Sequence, residues 1–471
     1  MTRLLVQQLA QLSSAAEFET PNDVEFDARF LPLPSHVRAL GKEIAVVWGG
    51  AGAGKTAFFQ ALGAKHPQAF FSQQQAEAAT HRWVDGFSTG QRHPEVVSLD
   101  DFATHVDDSA LRYFWLLHLA HCVAEAFHRP ELLAEEGVPQ DLHTRAFETP
   151  SSEEMSTGTY ASMRVLKRID DEQSQSVFVG YDALDLVGQW SPETRIRISA
   201  TLVSLWLSFG ARFSKLRPKI FLRKDLFESA VRRVVDGAKL RSRSVTLDWT
   251  VEDLFRVLVR HMAAQPALRE WLHEVMPGLV VHEAGRGWMP QAMPEEVQDR
   301  FASALAGPFM GKDVKKGFTY RWIANHLKDG GGQVVPRSMI RLIGGAAEIA
   351  AQRNFDEETG PLLASTDLVN ALPAMSNARV DELSHEFPIV RRLEHFRGSV
   401  LPLGEEQTAA LLSKPFNAED RDPTDGGAVL KRLEEVGVLV RRGNREGAVS
   451  IDMPDLYRYG YGIKRKGGAA G

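Results

Sequence analysis

Cysteine is almost absent from this chain: Cys122 is the only one in 471 residues. That excludes an intramolecular disulfide and a thiolate zinc site, and it sets the expectation of a reducing, cytoplasmic location. No apolar run reaches the length needed to span a bilayer, and the N-terminus lacks the layout of a signal peptide, so no membrane partner is expected. No internal repeat is visible. Positive charge is not in excess either. Lys and Arg number 55 against 61 Asp and Glu, a formal net charge of -6. Wholesale coating of nucleic acid is thereby excluded, while a local basic patch remains open. The length suits about three domains, each able to bury a core.

Against these absences stands one dense stretch, Trp48-Gly49-Gly50-Ala51-Gly52-Ala53-Gly54-Lys55-Thr56. It follows the apolar run Ile44 to Val47 and leads into the apolar-rich Ala57 to Leu62. Gly49, four residues, then Gly54-Lys55-Thr56 is the spacing of a phosphate-binding loop between a strand and a helix. Glycines let the backbone curl so that several N–H groups face one hollow, and the helix N-terminus adds positive potential. The backbone of Gly50, Ala51, Gly52, Ala53, Gly54, Lys55, Thr56 and Ala57 is therefore expected to cradle phosphates. Lys55 reaches the β- and γ-phosphates, and Thr56 offers its hydroxyl to Mg²⁺.

Such a loop needs an acid across the sheet, and Val177-Phe178-Val179-Gly180-Tyr181-Asp182 supplies a strand ending in one. Asp182 is the expected metal partner of Thr56, with Asp185 three residues on to orient water or an arginine. Further short strands are expected at Val96–Leu99, Lys219–Asp225 (ending in charge) and Ser244–Trp249. With the strands before Trp48 and Asp182 they make five, separated by helical stretches. That alternation predicts an α/β fold with a parallel sheet and ligands at the strand C-terminal ends. Arg223 ends its strand either as a γ-phosphate contact or as a surface charge. Asp100 and Asp101 lie either near the site or, the favoured expectation, in a solvated turn; His118 and His121 are expected in the core, and Glu148 to Thr159 in an exposed loop. Ser191-Pro192-Glu193 and Thr250 read as helix starts.

The segments divide as an N-terminal arm 1–40, a core 41–248, a helical lid 249–372 with little strand signal, and a C-terminal domain 373–471. In the lid, Pro336-Arg337 opens a helix whose apolar face is Ile340, Ile343, Ala347 and Ala350. Arg337 faces away from it, either exposed or turned toward phosphate. The last segment reads as two helices and a basic-tipped hairpin around 438–451, a winged helix. Its tail, Asp455 to Lys466, interleaves aromatic and basic residues, a pattern suited to nucleic acid. Glu434 and Glu435 on the helix that would enter a groove argue for packing or protein binding instead.

Together these motifs resemble the P-loop ATPases of the AAA+ and STAND type, including their KAP-like relatives. In that resemblance 49–56 is Walker A, Val177–Asp185 is Walker B, Arg223 stands at a sensor position and Arg337 at the sensor-2 position of the lid. It implies ATP, Mg²⁺, hydrolysis, and a nucleotide-driven switch that assembles with itself or a protein partner. Proteins of this layout are similar to ATPases of bacterial conflict and phage-defence loci. A DNA-docking ATPase and a nucleotide-plugged scaffold are the competing expectations. Ala183 stands where many AAA+ enzymes carry a water-activating glutamate. The chain has no Asn-Lys-x-Asp, the guanine-specific pattern.

Overall fold

The computed structural model describes residues 2–15, 24–64, 70–71, 80–88, 96–139, 149–188, 191–353, 360–417, 420, 424–443 and 449–466. Two compact units emerge. One comprises Pro32–Gly50 and Gly54–Leu247. The other comprises Met1–Leu31, Ala51–Ala53 and Asp248–Gly471.

The first unit is built on a five-stranded sheet: β1 Val46–Gly49, β2 Arg82–Phe87, β3 Val177–Tyr181, β4 Leu216–Arg223 and β5 Ser244–Thr246. Their order is β2-β3-β4-β1-β5, and every neighbouring pair is parallel. Strands covered on both faces read as apolar runs, and β3 is buried along its whole length. Helices Ser152–Glu172 and Pro192–Phe209 both pack on Asp108–Ala126, and the three contribute to one extended core with the sheet.

The strand expected at Val96–Leu99 is instead the start of a helix, Val96–His105. Leu99, Phe102, Ala103 and Val106 are buried at helical spacing, so the period was 3.6, not 2. The true second strand, Arg82–Phe87, lies at the sheet edge with exposed polar positions. The loop expected over Glu148–Thr159 is, from Ser152, the long helix Ser152–Glu172. Its start is a capping box in which Ser151 accepts from the Glu154 N–H, the Ser-x-x-Glu signature. Asp100 is buried in a helix and accepts the Gly188 N–H, not a solvated turn. Ser191 and Thr250 cap their helices as expected.

Two buried charges fix how the chain enters the sheet. Asp170 accepts the N–H groups of Ser214, Lys215 and Leu216 at 2.7, 2.7 and 2.8 Å, setting the start of β4. Lys219, fully buried on β4, donates to the carbonyls of Ala39, Gly41 and Ile44 at 2.7, 2.8 and 2.8 Å, fastening the lead-in to β1. Burial pushes its ammonium down to about 7.

Gly180 on β3 is required by close packing. A Cβ there would lie 2.1 Å from the Trp83 ring and 2.8 Å from Phe59. Gly180→Val is therefore expected to destabilise the protein by about 3 kcal/mol. Urea unfolding checks this; an unchanged midpoint would refute the packing argument.

In the second unit the N-terminal helix Thr2–Ala15 packs on Pro336–Ala351, which in turn packs on Ser365–Glu386. Gly344 permits the first crossing: a Cβ there would sit 2.6 Å from the Ser13 nitrogen. Ile340, Ile343, Ala347 and Ala350 are buried as expected. The region 249–372 is not purely helical, because Val280–Glu283 and Gly287–Pro290 form an antiparallel hairpin. At the C-terminus, helices Glu405–Leu412 and Gly426–Val436 precede Val440–Gly443 and Val449–Asp452. Leu403–Gly404 adds a third strand beside Val449–Asp452, completing a winged helix. The expected hairpin tip, 444–447, lies outside the described residues.

Candidate functional site

The loop after β1 owes its shape to Gly52 and Gly54, both left-handed with φ of +76° and +85°, where a side chain would be strained. Gly54 opens the helix Lys55–Gly63, and no side chain caps it among the described residues. A helix start of this kind, with its dipole directed at the loop, suits an anion. Lys55 Nζ donates to the carbonyls of Gly49 and Gly50 at 3.2 and 3.0 Å, lying over the loop. Beneath the helix, His36 stacks on Phe58 with ring centroids 4.4 Å apart. The lead-in segment therefore packs against the loop's helix.

β4 separates β1 from β3, yet the site spans that gap. The Thr56 hydroxyl interacts with the Asp182 carboxyl and favours its ionised form. Burial pushes the Asp182 carboxyl up to about 6; the Ala183 N–H, the Thr56 hydroxyl and the Lys55 charge pull the other way, and Asp185 adds a small upward push. A neighbouring hydroxyl and carboxylate form an all-oxygen donor pair, the kind Mg²⁺ takes. The donors present therefore fit a metal-bound triphosphate.

After Asp182 the chain turns sharply. Ala183 is left-handed at φ +57°, a conformation that costs a residue with a Cβ about 1 kcal/mol. The Leu186 N–H returns to the Ala183 carbonyl at 3.0 Å. This turn places Asp185 beside Arg223, with Nη1 3.8 Å from Oδ2. Arg223 is mostly engaged elsewhere: Nε and Nη2 grip Asp225 at 3.1 and 2.7 Å. Arg195 donates to the carbonyls of Val187 and Gly188 at 3.3 and 3.4 Å. Burial first, then the nearby Arg223 charge, lowers its pKa. Arg195 and Asp225 were not foreseen as neighbours of this end of the sheet, and for Asp100 the less favoured expectation, a place near the site, is the one that holds. Of those two, Asp225 was legible, two residues beyond Arg223.

Arg337 lies in the second unit, where its Nη1 is 3.2 Å from Glu382. Arg341 meets the same carboxylate oxygen at 2.6 Å, and Arg379 meets the other oxygen at 3.2 Å. Glu382 is thus shared by three guanidiniums. Arg379 and Glu382 sit three apart on Ser365–Glu386, a helix that continues through Pro373.

His118 is buried with Nε2 2.7 Å from the Gly86 carbonyl, and His121 Nε2 is 2.7 Å from that of Pro139. Among the described residues no cluster of metal-ligating side chains occurs, and no helix is long and apolar enough to cross a membrane. Two of the three tail tyrosines, Tyr457 and Tyr461, are buried, and Tyr459 is half-buried. Arg441 is paired with Glu405 and Glu434, both at 2.7 Å, and Arg442 with Asp452 at 2.9 Å.

The fold is thus of the α/β class: a parallel five-stranded sheet with a glycine loop after β1, together with helical and winged-helix parts. No family model matches the chain, and no curated protein does. Among solved structures, the Orc1 protein of Aeropyrum pernix in complex with DNA aligns over 97% of this chain and 91% of its own. The identity is 13% and the TM-score 0.33, a likeness too distant to bear on function.

Proposed function

We propose that this protein binds ATP and hydrolyses it slowly, as a conformational switch. The observation that carries the reading is that Thr56 and Lys55, on the helix after β1, both act on the buried Asp182 carboxyl at the end of β3, with β4 running between the two strands. In this reading the backbone of Gly50–Ala57 holds the phosphates and Lys55 neutralises the β- and γ-oxygens. Thr56 and Asp182 would hold Mg²⁺, which supplies charge neutralisation at the phosphates when bound. With Ala183 in place of a second acid, Asp185 is the carboxylate left to orient water. Its partner Arg223 limits its freedom, which accounts for slow turnover. Arg223 and Arg337 would report the γ-phosphate, and the helical and winged-helix parts would answer with a change in self-assembly or protein binding. The resemblance to bacterial defence ATPases gives this switch a cytoplasmic antiviral setting.

The test is phosphate release from ATP–Mg²⁺ together with solution mass in ATP and in ADP. Slow release and a nucleotide-dependent mass are expected. Tight binding with no release would instead favour the plugged scaffold.

Duplex DNA is the other partner considered. The carboxylates already facing Arg441 and Arg442 compete with phosphate for both. Arg441→Ala and Arg442→Ala are accordingly expected to leave DNA retention unchanged. A fall of roughly one in the salt slope per substitution would reverse that conclusion.

A further inference from the structure

Two carbonyls at the crest of the glycine loop are held by side chains from far along the sequence. Arg379 Nη1 donates to the Ala51 carbonyl at 3.0 Å. Trp249 Nε1 donates to the Ala53 carbonyl at 2.9 Å. All four residues belong to the same compact unit. Both donors are well buried; Arg379 is 7% exposed in its side chain and Trp249 9% exposed. Arg379 is itself oriented, by Glu382 at 3.2 Å and by the Tyr457 side chain. Glu382 in turn is braced by Arg337 and Arg341.

A trans peptide is planar, with its C=O and N–H pointing in opposite directions. Holding the Ala51 carbonyl therefore fixes where the Gly52 N–H points, and holding the Ala53 carbonyl does the same for Gly54. These are the two left-handed glycines, whose freedom would otherwise let either peptide flip. Gly52 is also backed by Val335 and Arg337, whose Cβ atoms lie 3.7 and 3.5 Å from where its own would be. The crest is thus held from outside, carbonyls outward and N–H groups inward.

We infer that Arg379 and Trp249 are positioning residues for the phosphate-binding loop: each clamps one peptide plane so that its N–H faces the anion before any ligand arrives. The inference rests on the nucleotide-binding reading of the loop. It assigns neither residue a contact with phosphate. Because the clamps shape the loop, they serve ADP and ATP alike.

The test is titration of the full chain with fluorescent ADP and ATP analogues, well below the melting temperature. Arg379→Met and Trp249→Phe each remove a donor while keeping bulk. Loss of one such hydrogen bond's worth of preorganisation should weaken both nucleotides about tenfold. Arg379→Lys, which restores a donor, should recover part of the loss. Lower melting temperatures with unchanged affinities would make both residues merely structural and overturn the inference. Weakening of ATP alone by Arg379→Met would also overturn it, since that marks a γ-phosphate contact. Lys55→Ala separates the two levels. If it abolishes binding while Arg379→Met and Trp249→Phe bind normally, the clamp fails and the nucleotide reading stands; if it binds normally, the nucleotide reading fails.

Discussion

Lys55→Ala should abolish ATP turnover and weaken ATP binding by roughly a hundredfold or more. The ammonium meets two to three phosphate charges at close range; even at the effective dielectric of a protein surface, one such pair at 4 Å is worth about 4 kcal/mol. Charge-assisted hydrogen bonds of this kind contribute about 1.5–3 kcal/mol each. The fold has little stake in the residue. Lys55 is only partly buried and donates to two carbonyls of its own loop. Calorimetric titration of folded protein with ATP–Mg²⁺ decides the matter. Wild-type affinity and turnover in the variant would end the nucleotide assignment.

Asp182→Asn should move stability and function in opposite directions. Burial holds the Asp182 carboxyl at about 6, against an ordinary 3.8. Between those values the folded chain keeps a proton that the unfolded chain has released. Stability therefore falls as pH rises through that window, by about 2–3 kcal/mol once both states are ionised. Asparagine carries no charge to bury. The variant should thus match the wild type near pH 3.5 and exceed it by about 2–3 kcal/mol at pH 8, in urea unfolding without nucleotide. The same change removes the anionic oxygen proposed for Mg²⁺, so ATP binding should no longer respond to the metal. A variant that is less stable at pH 8, or that keeps a full Mg²⁺ response, would overturn the role given to Asp182.

The loop at 49–56 was legible because every position is dictated locally. Glycine is needed for the left-handed turns, and a helix must start where the phosphates would sit. The strand before Asp182 was legible because burial on both faces writes itself as an unbroken apolar run. The edge strand Arg82–Phe87 was not, since one-sided burial dilutes the pattern with charge. The run at 96–99 misled because four apolar or small residues fit a strand and a helix turn equally well. The helix Ser365–Glu386 hid behind Pro373, a helix breaker on local grounds. Packing of Leu368, Leu372 and Met375 in the core outweighs the one hydrogen bond that proline removes. Arg379 and Glu382 were missed with it. Aromatic and basic residues alternating at 455–466 resembled a nucleic-acid strip, whereas the tyrosines at 457 and 461 are core.

By itself the sequence determined the short-range features: a glycine loop that opens a helix, an acid at the end of an apolar strand, and helices marked by their caps. Tertiary structure alone decided that β4 runs between the loop strand and the acid-bearing strand. It alone also showed that the wing arginines already have carboxylate partners, and that Trp249 and Arg379 grip the loop. The division has a physical cause. Backbone conformation and capping depend on residues a few positions apart. A hydrogen bond between residues 51 and 379 exists only after the intervening chain has folded, and no spacing in the sequence encodes it.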